Sequence, residues 1–344
     1  MPRLKRARVS VSLALAASAT FAAPAVAQSV ADFYKDKTIA IVMGTGPGGS
    51  YDLYGRTIAA HLGRHIPGHP SIIVEHMPGA GGAIAGNHIY ATAPQDGTKI
   101  LLSHALPLTE KLQGGTGIRF ETRKFHWLGA YDAIALLMTV WHTAPVKTLD
   151  DLKTADLVIG SFSATHLTYQ WATLLKTALG AKYKVITGYR SGNDLNLAME
   201  RGEIHGWTAS WENLSGTRPQ WLRDKMVTVM VQFALDRLPE LPNVPTLLEL
   251  TPPEHKAAVE FLTSGTPFGR AMAVGPGVPA DRVAALRKAF DALMTDDAFL
   301  ADAKKRKLDI NPRNAEKTHA LVDRIGTASP DLIKQVKRAI GQEE

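Results

Sequence analysis

Twice in its first hundred residues the chain passes from an apolar run through a glycine-rich loop into a helix-like pattern. Thr38–Met43 (TIAIVM) leads into GTGPGGS at 44–50, and Ser71–Glu75 (SIIVE) leads into PGAGG at 78–82. Continuous β-branched runs suit strands buried on both faces. Repeated strand–loop–helix units require crossover connections, so the expected fold class is α/β with mostly parallel sheets and flanking helices. In such a sheet, loops after successive strands open at the same carboxyl edge.

The pattern continues downstream. After the turn Pro94-Gln95-Asp96-Gly97, Lys99–Ser103 reads as a third strand. A second α/β run begins near Ala133, with strands expected at 134–141, 156–160, 183–187, 204–210 and 226–232. Helices are expected at about 165–179 and 194–201. The segment 238–245 holds three prolines and reads as a rigid linker, and 270–274 as a late strand. Helical patterns follow at 280–294, 296–307, 315–325 and 328–341. These are read as closing the first unit. The expected domains are therefore 28–130 with 253–344, a discontinuous first domain, and 131–252, the second.

The length of 344 residues suits two domains at about 150 residues each. Cysteine is absent, which excludes disulfides, thiol nucleophiles, iron–sulfur centres and thiolate zinc sites. The formal charge is +7, but residues 1–27 carry Arg3, Lys5, Arg6 and Arg8 with no acid. A largely apolar stretch from Val9 to Phe21 follows, then Ala25-Val26-Ala27. That order is a secretory signal peptide with an A-x-A cleavage site, and its apolar part is short for a membrane anchor. Removing it leaves 317 residues with 35 basic and 32 acidic side chains. The mature chain is only mildly basic and has no basic tract interleaved with aromatics, so nucleic acid is not an expected partner. The expected address is the periplasm.

Gly44-Thr45-Gly46-Pro47-Gly48-Gly49 matches G-x-G-x-x-G, and Glu75 ends the next strand 26 residues past Gly49. This is the pattern of a dinucleotide-binding oxidoreductase. Pro47 weighs against it by removing an N–H from the loop, and so does the second glycine loop, which that fold does not require. Free nicotinamide is also an uncommon cofactor for an exported enzyme. As a pair, the loops offer glycine-exposed N–H groups beside helix N-termini, a site for one carboxylate without any basic side chain. The alternative is two tight turns with structural glycines.

The order of motifs resembles the Bug/TctC-type solute-binding proteins of tripartite tricarboxylate transporters. Pro47-Gly48-Gly49-Ser50-Tyr51-Asp52 with Arg56 resembles the first signature of that family. Glu75-His76-Met77-Pro78-Gly79-Ala80-Gly81-Gly82 resembles the second, with His76 in place of an asparagine. Pro94-Gln95-Asp96-Gly97 and Leu241-Pro242-Asn243-Val244-Pro245-Thr246 resemble two further family motifs. The likeness implies a two-lobed periplasmic binding protein of the type II-like, Venus flytrap kind. It would hold a small organic acid (mono-, di- or tricarboxylate, possibly aromatic) and deliver it to large and small membrane subunits of a tripartite transporter. A monomer without cofactor, metal or catalytic residues is expected. A receptor presenting ligand to a sensor is a variant of the same reading.

The resemblance assigns the proximal carboxylate to Thr45, Gly46, Pro47, Gly48, Gly49 and Ser50 and to Gly79, Ala80, Gly81 and Gly82. Asp52 is read as a cap or as a ligand contact. In the second lobe, Gly160-Ser161-Phe162-Ser163-Ala164-Thr165-His166 resembles a family loop. It nominates Ser161, Ser163, Thr165 and His166, the last either packed or touching ligand. Tyr189-Arg190-Ser191-Gly192 replaces a Tyr-Lys-Gly-Gly-like signature, and Arg190 could pair with a distal carboxylate. Trp207, Trp211 and His104 could shape an apolar pocket.

An enzyme would need a poised nucleophile, base or metal. His61 and His65 are spaced i, i+4 without the Glu of H-E-x-x-H, and no G-x-S-x-G or P-loop lysine is present. An exported α/β enzyme acting on a small organic acid is the competing reading, and its mark would be turnover of simple esters or hydroxy acids.

Overall fold

The computed structural model describes residues 28–103, 105–115 and 117–342. The expected signal peptide and His104 lie outside the described residues. Strands β1 (Thr38–Met43), β2 (Ser71–His76), β3 (Lys99–Ser103), β4 (His126–Ala130), β10 (Ala271–Val274) and β11 (Arg313–Asn314) form one sheet, in the order β11-β4-β10-β3-β1-β2. Strands β5 (Leu136–Trp141), β6 (Val158–Gly160), β7 (Lys184–Ile186), β8 (Gly206–Ser210) and β9 (Val227–Phe233) form the other, in the order β7-β6-β8-β5-β9.

Burial follows sheet position. β1 lies between β2 and β3, and every residue after Thr38 is buried, as its apolar run requires. β2 is an edge strand and only half-buried, with Ile73 exposed. The helix Ser50–Leu62 turns Tyr54, Ile58 and Leu62 into the core at successive i, i+4 steps. The proline segment 238–245 is fixed by one buried side chain. Gln232 donates to the carbonyls of Leu241 and Val244 and accepts from the Leu238 amide.

The expectation of mostly parallel sheets is corrected. β1 pairs in parallel with β2 and β3, and β6 with β7 and β8. The remaining pairings among the described strands are antiparallel: β10 with β3 and β4, β11 with β4, and β5 with β8 and β9. The cause is the route of the chain. β1, β3, β6 and β8 run toward the edge where the two sheets face each other. β5 and β10 are the first strands after the chain passes from one sheet to the other. Each enters from that shared edge and so runs against the strands already there. The local strand–loop–helix signal carries no record of this reversal.

The late helices Ala280–Leu293, Asp297–Lys305 and Ala315–Gly326 pack on the six-stranded side. The last helix, Pro330–Ala339, reaches both sides, touching Leu106–Gln113 and Leu167–Leu179. Just beyond it, Gln342 donates to the Ala164 carbonyl.

Candidate functional site

The first glycine loop is held open by side chains around it. Gly48 sits at φ +82°, a conformation that favours glycine, and its N–H donates to Asp52 Oδ2 at 3.0 Å. Arg56 Nε donates to the same oxygen at 3.0 Å. His76 Nδ1 donates to the Thr45 carbonyl at 2.8 Å, while its Nε2 lies 3.0 Å from Asp52 Oδ1. Asp52 and His76 thus brace the loop. Gly49 precedes the helix Ser50–Leu62 without a side-chain cap, so the opening amides of that helix have no intrahelical acceptor.

The second loop lies directly beside it. Gly79, Ala80, Gly81 and Gly82 all have positive φ, which folds the segment into a tight arch. A Cβ on Gly44 would lie 2.9 Å from Gly82 Cα, so the two loops touch backbone to backbone. A Cβ on Gly81 would lie 2.5 Å from the Thr165 carbonyl oxygen, which belongs to the other side of the cleft.

The two sides meet around a small cavity of about 50 Å³. Gly46 N–H donates to the Arg190 carbonyl at 2.9 Å, and the hydroxyls of Ser50 and Ser210 are 3.0 Å apart. The six-stranded side contributes Thr45, Gly46, Gly49, Ser50 and Tyr51 to the wall, and the connection into β5 contributes Ile134 and Leu136. The five-stranded side contributes Phe162, His166, Thr168, Gly192, Trp207, Thr208, Ser210 and Asn213. Three helices, Ser50–Leu62, Leu167–Leu179 and Gly192–Glu200, begin at this wall. No Lys, Arg, Asp or Glu lines it. Helix N-termini carry partial positive charge and exposed donors, so the cavity favours one anion. Thr45 Oγ1, Trp207 Nε1, and Asn213 Nδ2 and Oδ1 are buried here without a partner in the protein. Buried polar atoms are normally satisfied, so these four are left with hydrogen-bonding capacity that a polar guest could use.

A second cavity of about 270 Å³ adjoins the first across Thr45, Phe162 and His166. Gly79, Gly81, Ser163, Gly188, Tyr189 and Arg190 line it. The Arg190 side chain is 81% exposed and only 3.7 Å from Asp194, so it faces solvent.

Of the residues nominated from the sequence, Thr45, Gly46, Gly49, Ser50, His166 and Trp207 border the inner cavity. Gly79, Gly81, Ser163, Tyr189 and Arg190 border the outer one, with Thr45 and His166 on both. Pro47, Gly48, Asp52, Ala80, Gly82, Ser161 and Thr165 line neither. Ser161 is buried 2.7 Å from the Thr168 hydroxyl, and Thr165 lies beside Ser163. His166 Nδ1 accepts from the Thr168 amide and caps Leu167–Leu179, while its ring packs edge-on to Phe162. Trp211 borders a separate surface groove. His61 and His65 pair with Asp302 and Asp296 on a neighbouring helix.

Sequence reasoning missed Asn213, which no local motif marks, and the ion cluster behind the cavity. Arg270 is fully buried, with Nη1 3.0 Å from Asp132 Oδ2 and Nη2 2.6 Å from Glu212 Oε2. Its guanidinium carbon is 4.2 Å from the Tyr54 ring centroid. Arg270 precedes β10 of one sheet and Glu212 follows β8 of the other, so the pair ties the two sides together. Burial pushes the Asp132 carboxyl well above its ordinary range, and Glu212 adds to this, although Arg270 opposes it. One guanidinium thus bridges two buried carboxylates.

No family model matches this chain. It is 27% identical over 256 residues to the UPF0065 protein in the gbd 5' region of Cupriavidus necator, covering 71% of this chain and 73% of that one. It is also 27% identical over 256 residues to Protein BugT of Bordetella pertussis, covering 71% and 74%. Among solved structures, the periplasmic binding protein BugD superposes with a TM-score of 0.72 at 22% identity, over 90% of this chain and 99% of that one. MatC of Rhodopseudomonas palustris, solved with bound malate, gives 0.67 at 18%, over 90% and 99%. An R. palustris protein solved with adipate gives 0.69 at 18%, over 89% and 97%. The paired glycine-loop motifs and these relatives make the chain similar to Bug-type proteins, and the solved structures show that it shares the two-lobed fold of periplasmic binding proteins such as BugD.

Proposed function

We propose that the protein is a periplasmic receptor that encloses a small organic carboxylate between its lobes and delivers it to a tripartite tricarboxylate-type membrane transporter. The observation that carries this reading is the inner cavity, where three helix N-termini and three unpartnered polar side chains converge with no charged side chain among them. Malate and adipate, the acids held by two of the similar structures, are the first ligands to test.

The mechanism follows from the contacts across the cleft. A carboxylate at the opening amides of Ser50–Leu62 meets donors from one lobe, and Trp207 and Asn213 meet it or its body from the other. A ligand that touches both lobes stabilises the closed form over the open one. The closed face would then be presented to the large and small membrane subunits. The lobes are assigned as 28–130 with 253–344, and 131–252. The 1–27 segment is assigned as a cleaved signal peptide, to be checked from the mass of the exported protein.

The test is a thermal-shift screen of the exported protein against organic acids, followed by calorimetry on each hit. One-to-one binding that is lost on Gly49→Val, with the fold intact by circular dichroism, supports the reading. Turnover of a hit, or no acid bound at millimolar concentration, refutes it.

A further inference from the structure

We infer that the ligand is a compact monocarboxylate whose body is uncharged and carries a hydrogen-bonding oxygen, and that a second carboxylate is selected against. This rests on the receptor reading above and narrows it.

The inner cavity receives negative charge at helix N-termini: Ser50–Leu62 is uncapped, whereas the Thr168 amide is taken by His166 Nδ1 and the Asp194 amide by Ser191 Oγ, which leaves those two helices to act mainly through their dipoles. These supply partial charges and N–H donors but no full cation. A second carboxylate in the same enclosure would repel the first, and its desolvation would go uncompensated. Ile134, Leu136, Phe162 and the Trp207 ring form the apolar part of the wall, and Thr45, Tyr51, His166, Thr208 and Ser210 stand among them.

Three wall side chains, Thr45, Trp207 and Asn213, hold buried polar atoms without a partner in the protein, and none of the three carries a charge. Trp207 Nε1 can only donate, whereas the Asn213 amide donates and accepts. Both are at least nine-tenths buried. A hydroxyl or keto oxygen on the ligand body satisfies such groups, and a bare alkyl chain leaves them unpaired. The cation nearest the outer cavity, Arg190, projects into solvent and is set beyond Phe162 and His166. The buried Arg270 is already engaged by Asp132 and Glu212 and does not line the cavity.

The experiment uses calorimetry on the exported protein with acids matched by exchange of methyl for carboxylate: 3-hydroxybutyrate against malate, hexanoate against adipate, and 4-methylbenzoate against terephthalate. The monocarboxylate should bind at least tenfold tighter within each pair that binds. 3-Hydroxybutyrate should bind at least tenfold tighter than butyrate. Trp207→Phe, which keeps the ring and removes the N–H, should shrink that hydroxyl preference, as should Asn213→Leu. A dicarboxylate that binds more tightly than its partner and loses the advantage in Arg190→Ala overturns the inference while leaving the receptor reading in place. A hydroxyl preference unchanged in both variants overturns it as well. Failure of every acid to bind overturns both.

Discussion

Replacing Arg270 by Met removes a charge without opening a large void, because the two side chains are of similar volume. In the wild type the guanidinium makes two charge-assisted bonds, at 3.0 Å to Asp132 and 2.6 Å to Glu212, with neither acidic side chain more than 7% exposed. Bonds of this kind contribute about 1.5–3 kcal/mol each. Stacking over Tyr54 adds up to about 2 kcal/mol. Against this stands the relief of no longer burying the guanidinium, which leaves an expected loss of about 3–5 kcal/mol. The loss should depend on pH. With the cation gone, the Asp132 carboxyl loses the guanidinium that held its value down, so its protonation at lower pH offsets part of the cost and the penalty at pH 7 should exceed that at pH 5. In the wild type, the raised Asp132 value means its contribution is complete below about pH 4, its unfolded value, and fades as pH climbs through the folded value. Urea unfolding followed by the fluorescence of the six tryptophans measures both effects. The slope against denaturant serves as a check that both lobes still unfold together. The triple variant Asp132→Asn, Glu212→Gln, Arg270→Met should recover to within about 1 kcal/mol of wild type, because the uncompensated charges are gone. A single-variant loss below about 1 kcal/mol at pH 7 with unchanged slope refutes the reasoning, since so buried a partner cannot leave without consequence. So does a loss that grows on acidification.

Three further outcomes are expected. Gly46→Ala should leave the unfolding midpoint nearly unchanged, because Gly46 has no positive φ, yet its Cβ would lie 2.9 Å from the Arg190 carbonyl oxygen across the cleft. Overpacking and loss of the Gly46–Arg190 bond should weaken ligand binding by about 2–4 kcal/mol, read by calorimetry with the tightest acid found, and a change under threefold would count against closure on this contact. Asp52→Ala removes the acceptor of the Gly48 N–H and the partner of Arg56. It should destabilise by about 1–2 kcal/mol and speed hydrogen exchange at Gly48. The Asp296 carboxyl is held down to about 2 by the Phe299 amide, helped by Arg64 and His65. Its stabilisation is therefore present above about pH 4 and lost as pH falls toward 2, so Asp296→Asn should flatten the acid limb of the melting curve between those values.

The chain's local patterns were legible because their causes are local. The buried run Thr38–Met43, the left-handed Gly48, and the arch at 79–82 each follow from a few consecutive residues. Arg190 was legible as a cation near the site, but whether it points inward or into solvent depends on packing around Tyr189 and Asp194 that no motif encodes. His76 stood in place of an asparagine, and only the neighbouring Thr45 carbonyl and Asp52 explain what the imidazole does there. Asn213 and Glu212 carry no signal at all in the sequence, because the cavity that one faces and the Arg270 guanidinium that the other meets are brought there by distant segments of the chain.

That strands end in glycine loops beside helix starts, and that backbone donors therefore gather at sheet edges, is written in short runs of consecutive residues. The tertiary structure alone decided which loop faces which cavity, and that β5 and β10 run against their neighbours. It also placed Arg270 between acids from two different connections. The physical reason is that strand formation and glycine conformation are settled within a few residues, whereas strand direction and ion pairing are settled by where the chain re-enters after crossing between lobes.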